Sequence, residues 1–100
     1  MNILSDRNGS EINIIIEGRI DTTNFNEFEA LIEDLLKDKT SKITLDCSKL
    51  NYISSSGLRI FLIMQKKMMS TKGVLILKNM QPSIKEVFDI SGFSTIFNIE

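Results

Sequence analysis

The sequence predicts an α/β fold: an open, mixed sheet of four or five strands with three to four helices packed mainly on one side. Three observations lead there. Segments with a two-residue apolar period alternate along the chain with segments whose apolar residues recur at helical spacing. The chain has 100 residues, 42% of them hydrophobic, which suits one compact domain over residues 1–100 but not two. No proline-, serine- or glycine-rich linker, low-complexity tract or internal repeat divides it.

Asn8-Gly9 is a hairpin signal, and the residues before it, Met1 to Asp6, are expected to pair antiparallel with the strand that follows. In that strand Ile12, Ile14 and Ile16 alternate with Asn13, Ile15 and Glu17, so one face is strongly apolar. Beyond Gly18, Asp21-Thr22-Thr23-Asn24 offers several N-cap side chains. Phe25, Phe28, Leu31, Ile32, Leu35 and Leu36 then mark a helix over about residues 23–38. Lys42 to Asp46 reads as a strand, with Ile43, Leu45 and Cys47 on one parity, leading into a serine-rich turn.

From Ser56 or Gly57 onward the apolar surface is too wide for a single stripe, which predicts a central helix packed on more than one side. Met64, Met68 and Met69 belong to that packing. Thr71-Lys72-Gly73 ends this helix, and Val74 to Leu77 has the unbroken apolar character of a strand buried on both faces. Pro82 opens a third helix whose inner face is Ile84, Val87 and Phe88. Gly92 supplies its left-handed closing residue, Phe93 the accompanying apolar contact, and Ile96 to Ile99 a last strand.

Composition narrows the chemistry. The chain has no histidine, which removes the usual proton shuttle, the imidazole metal ligand, the serine–histidine–acid triad and the histidine phosphocarrier. Its single cysteine, Cys47, has no partner for an internal disulfide and lies on the inward parity of its strand, so it reads as a small buried hydrophobe. A net charge of −1 gives no general attraction to nucleic acid. The amino terminus lacks a signal-peptide pattern and the longest apolar run is Ile60 to Met64, so a soluble, cytoplasmic protein without membrane insertion is expected.

The most unusual string is Asp46-Cys47-Ser48-Lys49-Leu50-Asn51-Tyr52-Ile53-Ser54-Ser55-Ser56-Gly57-Leu58-Arg59, in which serines and a glycine stand where a chain segment enters the central helix. A helix N-terminus offers unpaired N–H groups and about half a positive charge, so a phosphate on a serine there is well tolerated. The simpler reading makes one serine the N-cap, another first-turn filler, and Gly57 a point of close approach to neighbouring backbone. The spaced glycines and lysine of a nucleotide-binding loop are missing. Asp46 is read as support for the turn and Arg19 as solvent-facing. Arg59, Lys66 and Lys67 are either the solvated face of the helix or contacts to an acidic partner or a new phosphate.

Gly18-Arg19-Ile20-Asp21, Asp46-Cys47-Ser48-Lys49-Leu50, Tyr52-Ile53-Ser54-Ser55-Ser56-Gly57-Leu58-Arg59 and Val87-Phe88-Asp89-Ile90-Ser91-Gly92-Phe93, in this order, resemble a bacterial STAS domain of the anti-anti-sigma factor type. The resemblance spans nearly the whole chain. It implies the STAS fold and a regulator that binds an anti-sigma factor, itself a serine kinase, thereby freeing a sigma factor, with a PP2C-type phosphatase resetting the switch. In such proteins the phosphorylated residue lies two positions before the glycine, commonly after an aspartate. This implies Ser55 as acceptor, with Ser56 as the fallback, although Ser54 stands where the aspartate would be.

Asp21, which also reads as an N-cap, would border the partner surface together with Ser54, Ser55, Ser56, Gly57 and Arg59. No cofactor or metal is implied. The rival function is a non-phosphorylated STAS scaffold subunit of a lipid-transporting ABC complex, kept open by Ser54. An enzyme using Ser55 or Cys47 as nucleophile fails for want of a base to activate either.

Overall fold

The computed structural model describes residues 1–100. Five strands and three helices follow one another as β1 (Asn2–Asn8), β2 (Glu11–Ile20), α1 (Phe25–Leu35), β3 (Lys42–Ile53), α2 (Ser55–Ser70), β4 (Val74–Lys78), α3 (Pro82–Ile90) and β5 (Asn98–Ile99), with a 3-10 turn at Phe93–Thr95 before β5. The sheet order is β1-β2-β3-β4-β5. Only β1 runs antiparallel to its neighbour, and β2 to β5 are parallel. Joining parallel neighbours in sequence order by crossovers of one hand puts every helix on the same face of the sheet.

That face is the core. Ile12, Ile14 and Ile16 of β2, Ile43, Leu45 and Cys47 of β3, and Leu75 and Leu77 of β4 point into it and are buried. The helices meet them through a line of rings: Phe28 of α1, Phe61 of α2, Phe88 of α3 and Phe97, with successive centroids 5.9, 5.9 and 5.5 Å apart. Tilted and edge-on pairs at this spacing add to area burial. No helix is long and apolar enough to cross a membrane.

Several boundaries differ from the sequence reading. The hairpin turn is Gly9-Ser10, with Gly9 at φ +65°, so the glycine takes the first turn position rather than the second. Helix α1 spans 25–35, not 23–38. Its start is delayed because Asp21 and Asn24 brace the turn before it: the Asp21 carboxylate accepts from the Thr23 N–H at 2.9 Å, and the Asn24 amide oxygen accepts from the Asp21 N–H at 2.9 Å. Its end is set by Arg7 on β1, whose guanidinium donates to Leu35 O at 2.9 Å, Thr40 Oγ1 at 3.1 Å, Gly9 O at 3.2 Å and Lys39 O at 3.3 Å.

Strand β3 does not stop at Asp46. It continues to Ile53, pairing with β2 through two register shifts, at Ile15/Glu17 and Gly18/Arg19. These irregularities let Cys47, Leu50 and Ile53, three residues apart, all face the core. Asp46 is therefore inside a strand, bracing it by accepting from the Ser48 N–H at 2.9 Å.

Strand β4 is buried on both faces over Leu75 to Leu77, and only its first residue is open. Leu75 and Leu77 face the helices, Ile76 is shielded on the open face, and Val74 is 44% exposed. Strand β5 has only two residues, because the 3-10 turn uses the preceding chain and turns Phe97 inward.

Candidate functional site

The carboxyl ends of β2 and β3 lie side by side, and α2 starts from the second of them. The Ser54 N–H donates to Ile20 O at 2.8 Å, which fixes the entry to α2 against the last residue of β2. Ser54 is the N-cap, in extended conformation, and its hydroxyl accepts from the Gly57 N–H at 3.2 Å. One orphan donor of the first turn is thus satisfied, while the Ser55 and Ser56 N–H groups have no acceptor in the protein.

Ser55 is the first residue of α2 and is exposed, with no hydrogen bond to its hydroxyl; Ser56 is half-buried beside Phe25, Glu29 and Arg59. The helix therefore begins at Ser55, one or two residues earlier than its apolar pattern indicated, because the cap is a polar contact with no periodic signature. Gly57 is buried for a reason other than the one read from sequence. A Cβ there would lie 2.8 Å from both Ile20 Cγ2 and Ile53 Cγ1, so its close neighbours are side chains of β2 and β3, not backbone.

Asp21 follows directly on Ile20 and so sits beside Ser54. It is not the N-cap of α1, a position held by Asn24; its carboxylate is spent on the turn at Thr23 and on Arg19, 3.4 Å away. The Thr23 hydroxyl and N–H, with a smaller contribution from Arg19, hold the Asp21 carboxyl below its ordinary range. Arg59 is exposed on the next turn of α2 and pairs with no carboxylate. The structure thus brings Asp21, Ser54, Ser55 and Gly57 together, with Ser56 and Arg59 at the flank.

Two residues of this surface escaped the sequence reading. Arg19 does not simply face solvent: its guanidinium lies 4.3 Å from the centroid of the Tyr52 ring. Tyr52 remains 42% exposed, with a cation over its ring, three residues before Ser55 in the chain. The signal that could have found the pair is the parallel register Arg19↔Tyr52, which the shifts in β2 and β3 obscure.

Cys47 is fully buried, and burial, reinforced by the Asp46 charge, pushes its thiol up to about 12. That removes it as a nucleophile. No group of histidine, cysteine, aspartate and glutamate side chains is arranged to hold a metal.

Residues 4–100 match the STAS domain family model. A Bordetella bronchiseptica protein bearing the name "Putative anti-sigma factor antagonist BtrV" is 31% identical over 99 residues, covering 99% of this chain and 85% of its own. Among solved structures, the anti-sigma factor antagonist SpoIIAA in its unphosphorylated form superposes with a TM-score of 0.84 at 20% identity, covering 99% of this chain and 88% of that one. The Bacillus cell fate determinant SpoIIAA in its phosphorylated form gives 0.77 at 20% identity, covering 99% and 91%. The structural likeness is one of fold; together with the match over nearly all of the chain, it places this protein in the STAS domain family.

Proposed function

We propose that the protein is an anti-sigma factor antagonist: unphosphorylated, it binds an anti-sigma factor serine kinase and so releases a sigma factor, and phosphorylation of Ser55 ends that binding. The observation that carries this reading is the exposed Ser55 hydroxyl at the first position of α2, next to two backbone N–H groups without acceptors. The name of the BtrV relative supports the antagonist role. A PP2C-type phosphatase would reset the switch in the cytoplasm. The protein acts as binding module and substrate, not as enzyme: the Asp21 carboxylate of this surface is held by Thr23 and Arg19 and makes no hydrogen bond to Ser55, so ATP, magnesium and base come from the kinase.

Ser54 supports the start of α2 in the place where related proteins commonly have an aspartate. It caps the Gly57 N–H, a contact that an aspartate side chain can also make, which supports Ser55 as the exposed first residue of the helix. Asp21, Tyr52 and Arg19 extend the partner surface across the ends of β2 and β3, and Arg59 borders it on α2. A phosphate adds about −1.5 to −2 charges, tolerable at the helix start but repelled or left unpaired in an interface shaped for a hydroxyl.

Incubation with the cognate kinase and ATP tests this. Ser55→Ala is expected to bind the kinase but take no label, and Ser56→Ala to be labelled. Ser55→Asp is expected to melt near wild type while losing about 100-fold or more in affinity. Labelling of Ser55→Ala equal to wild type would refute the acceptor. Stable binding to a transporter ATPase, with no kinase in the complex, would establish the scaffold role instead.

A further inference from the structure

At the opposite end of α2, some 24 Å from Ser55 at about 1.5 Å per residue over its 16 residues, lies a cleft of about 330 Å³ between the ends of α1 and α2 and the start of β3. Lys37, Lys39, Lys67 and Lys72 line it, against a single carboxylate, Asp38. Lys37 is engaged with Asp34 at 3.5 Å, but Lys39, Lys67 and Lys72 pair with no acidic group.

Lysines near helix C-termini often serve to neutralise the last carbonyls. Here most of those carbonyls are already served. Arg7 takes Leu35 O of α1. In α2 the Gly73 N–H reaches Met68 O at 2.7 Å and the Lys72 N–H reaches Met69 O at 3.2 Å, while the Ser70 hydroxyl takes Lys67 O at 2.7 Å. Only Glu33 O of α1 and Ser70 O of α2 are left without a donor, fewer than the three unpaired ammonium groups.

Two further features single out this cleft. The backbone N–H groups of Asp38, Lys39 and Thr40 have no acceptor in the protein, although Thr40 is only 8% exposed and its hydroxyl is fully engaged. Lys72 holds φ +60°, a left-handed conformation that glycine takes without strain. Glycine stands one residue later because a Cβ at Gly73 would lie 2.6 Å from Met68 Cε and 3.1 Å from Ser41 O. At the other left-handed non-glycine position the chain uses Asn79, which tolerates it well. A lysine is thus kept at the cleft in a backbone conformation that costs stability.

We infer that this cleft is a binding site for a small phosphorylated anion, held by Lys39, Lys67 and Lys72 together with the free amides of residues 38–40. Compact ammonium charges and backbone N–H donors suit phosphate oxygens, and several of them converging on one cleft match a polyanion carrying more than one negative charge. The volume falls at the lower end of the range for small-ligand pockets, about 300–1,000 Å³. The site is independent of the Ser55 reading.

The test is titration of the 15N-labelled protein with sodium tripolyphosphate at constant ionic strength, followed by amide chemical shifts and thermal melting. Saturable shifts confined to residues 37–41 and 67–73, with Kd below about 1 mM, are expected. Lys39→Gln and Lys72→Gln should each weaken binding about tenfold, while Lys66→Gln and Lys85→Gln leave it unchanged. Lys72→Gly should raise Tm and still weaken binding, separating the charge from its structural cost. Shifts spread over all surface lysines, equal weakening by Lys66→Gln, or citrate binding as tightly as tripolyphosphate would overturn the proposal.

Discussion

Gly57 is where the packing of the site can be measured most directly. Gly57→Ala places a methyl 2.8 Å from Ile20 Cγ2 and Ile53 Cγ1, roughly an ångström inside the usual carbon contact of about 3.5–4.0 Å. Both atoms are attached directly to Cβ of a β-branched side chain, so neither can swing aside without a change of rotamer or a shift of backbone. Overpacking of this kind costs about 1–3 kcal/mol. Replacing glycine by alanine in a helix returns up to about 1 kcal/mol, less in the first turn. The net expectation is a loss of about 1–2 kcal/mol, or a Tm lower by about 4–16 °C in a domain of this size. Urea unfolding followed by circular dichroism should show a lower midpoint at unchanged m-value. Because the methyl pushes α2 away from the ends of β2 and β3, affinity for the proposed kinase partner should fall as well, and Gly57→Leu should be worse on both counts. A Gly57→Ala protein as stable as wild type would refute the argument, since it would mean that the start of α2 is not clamped against the sheet.

Arg7→Met should cost about 1–3 kcal/mol in urea unfolding, since Leu35 O and Thr40 Oγ1 lose a charged donor, and Arg7→Lys should not restore it because one ammonium cannot reach all four acceptors. Native Cys47 should resist alkylation by iodoacetamide at pH 8 and react at full rate in urea. Because its thiol is held protonated to about 12 when folded against 9.0 unfolded, stability should decline as pH rises from 9 toward 12, and Cys47→Ala should flatten that slope. At acid pH the sign is opposite. The carboxyls of Glu17, held down by Lys49 and Asn2, Asp46, by the Ser48 N–H, and Asp89, by Ser94 and Lys85, are depressed in the folded state. Their contribution is complete above the unfolded values of 4.5 and 3.8 and is lost as pH falls below them, which Tm measured from pH 6 to pH 2 should show, with Glu17→Gln shallower than wild type.

Much of this molecule is legible along the chain because its cues are local. The alternation of Ile12, Ile14 and Ile16, the helical spacing of Phe25 to Leu36, Pro82 as an opener and Gly92 at φ +78° as a closer each depend on residues within a turn or two, so element type and the inward face follow from periodicity. The serine string likewise identifies a helix start. What the tertiary structure decided are contacts between segments far apart in sequence. Pairing with β2 carries β3 past Asp46 to Ile53, and its register shifts bring Arg19 over Tyr52. The anchoring of Ser54 to Ile20 O makes Ser54 the cap and leaves Ser55 exposed and Ser56 half-covered, a choice that three adjacent serines do not encode among themselves. Arg7 of β1 ending α1, and Lys72 taking the left-handed position because Met68 and Ser41 crowd Gly73, follow the same rule. Periodicity reports which face is apolar; steric fit and hydrogen-bond closure depend on the distance between atoms of different elements, which exists only once the sheet has assembled.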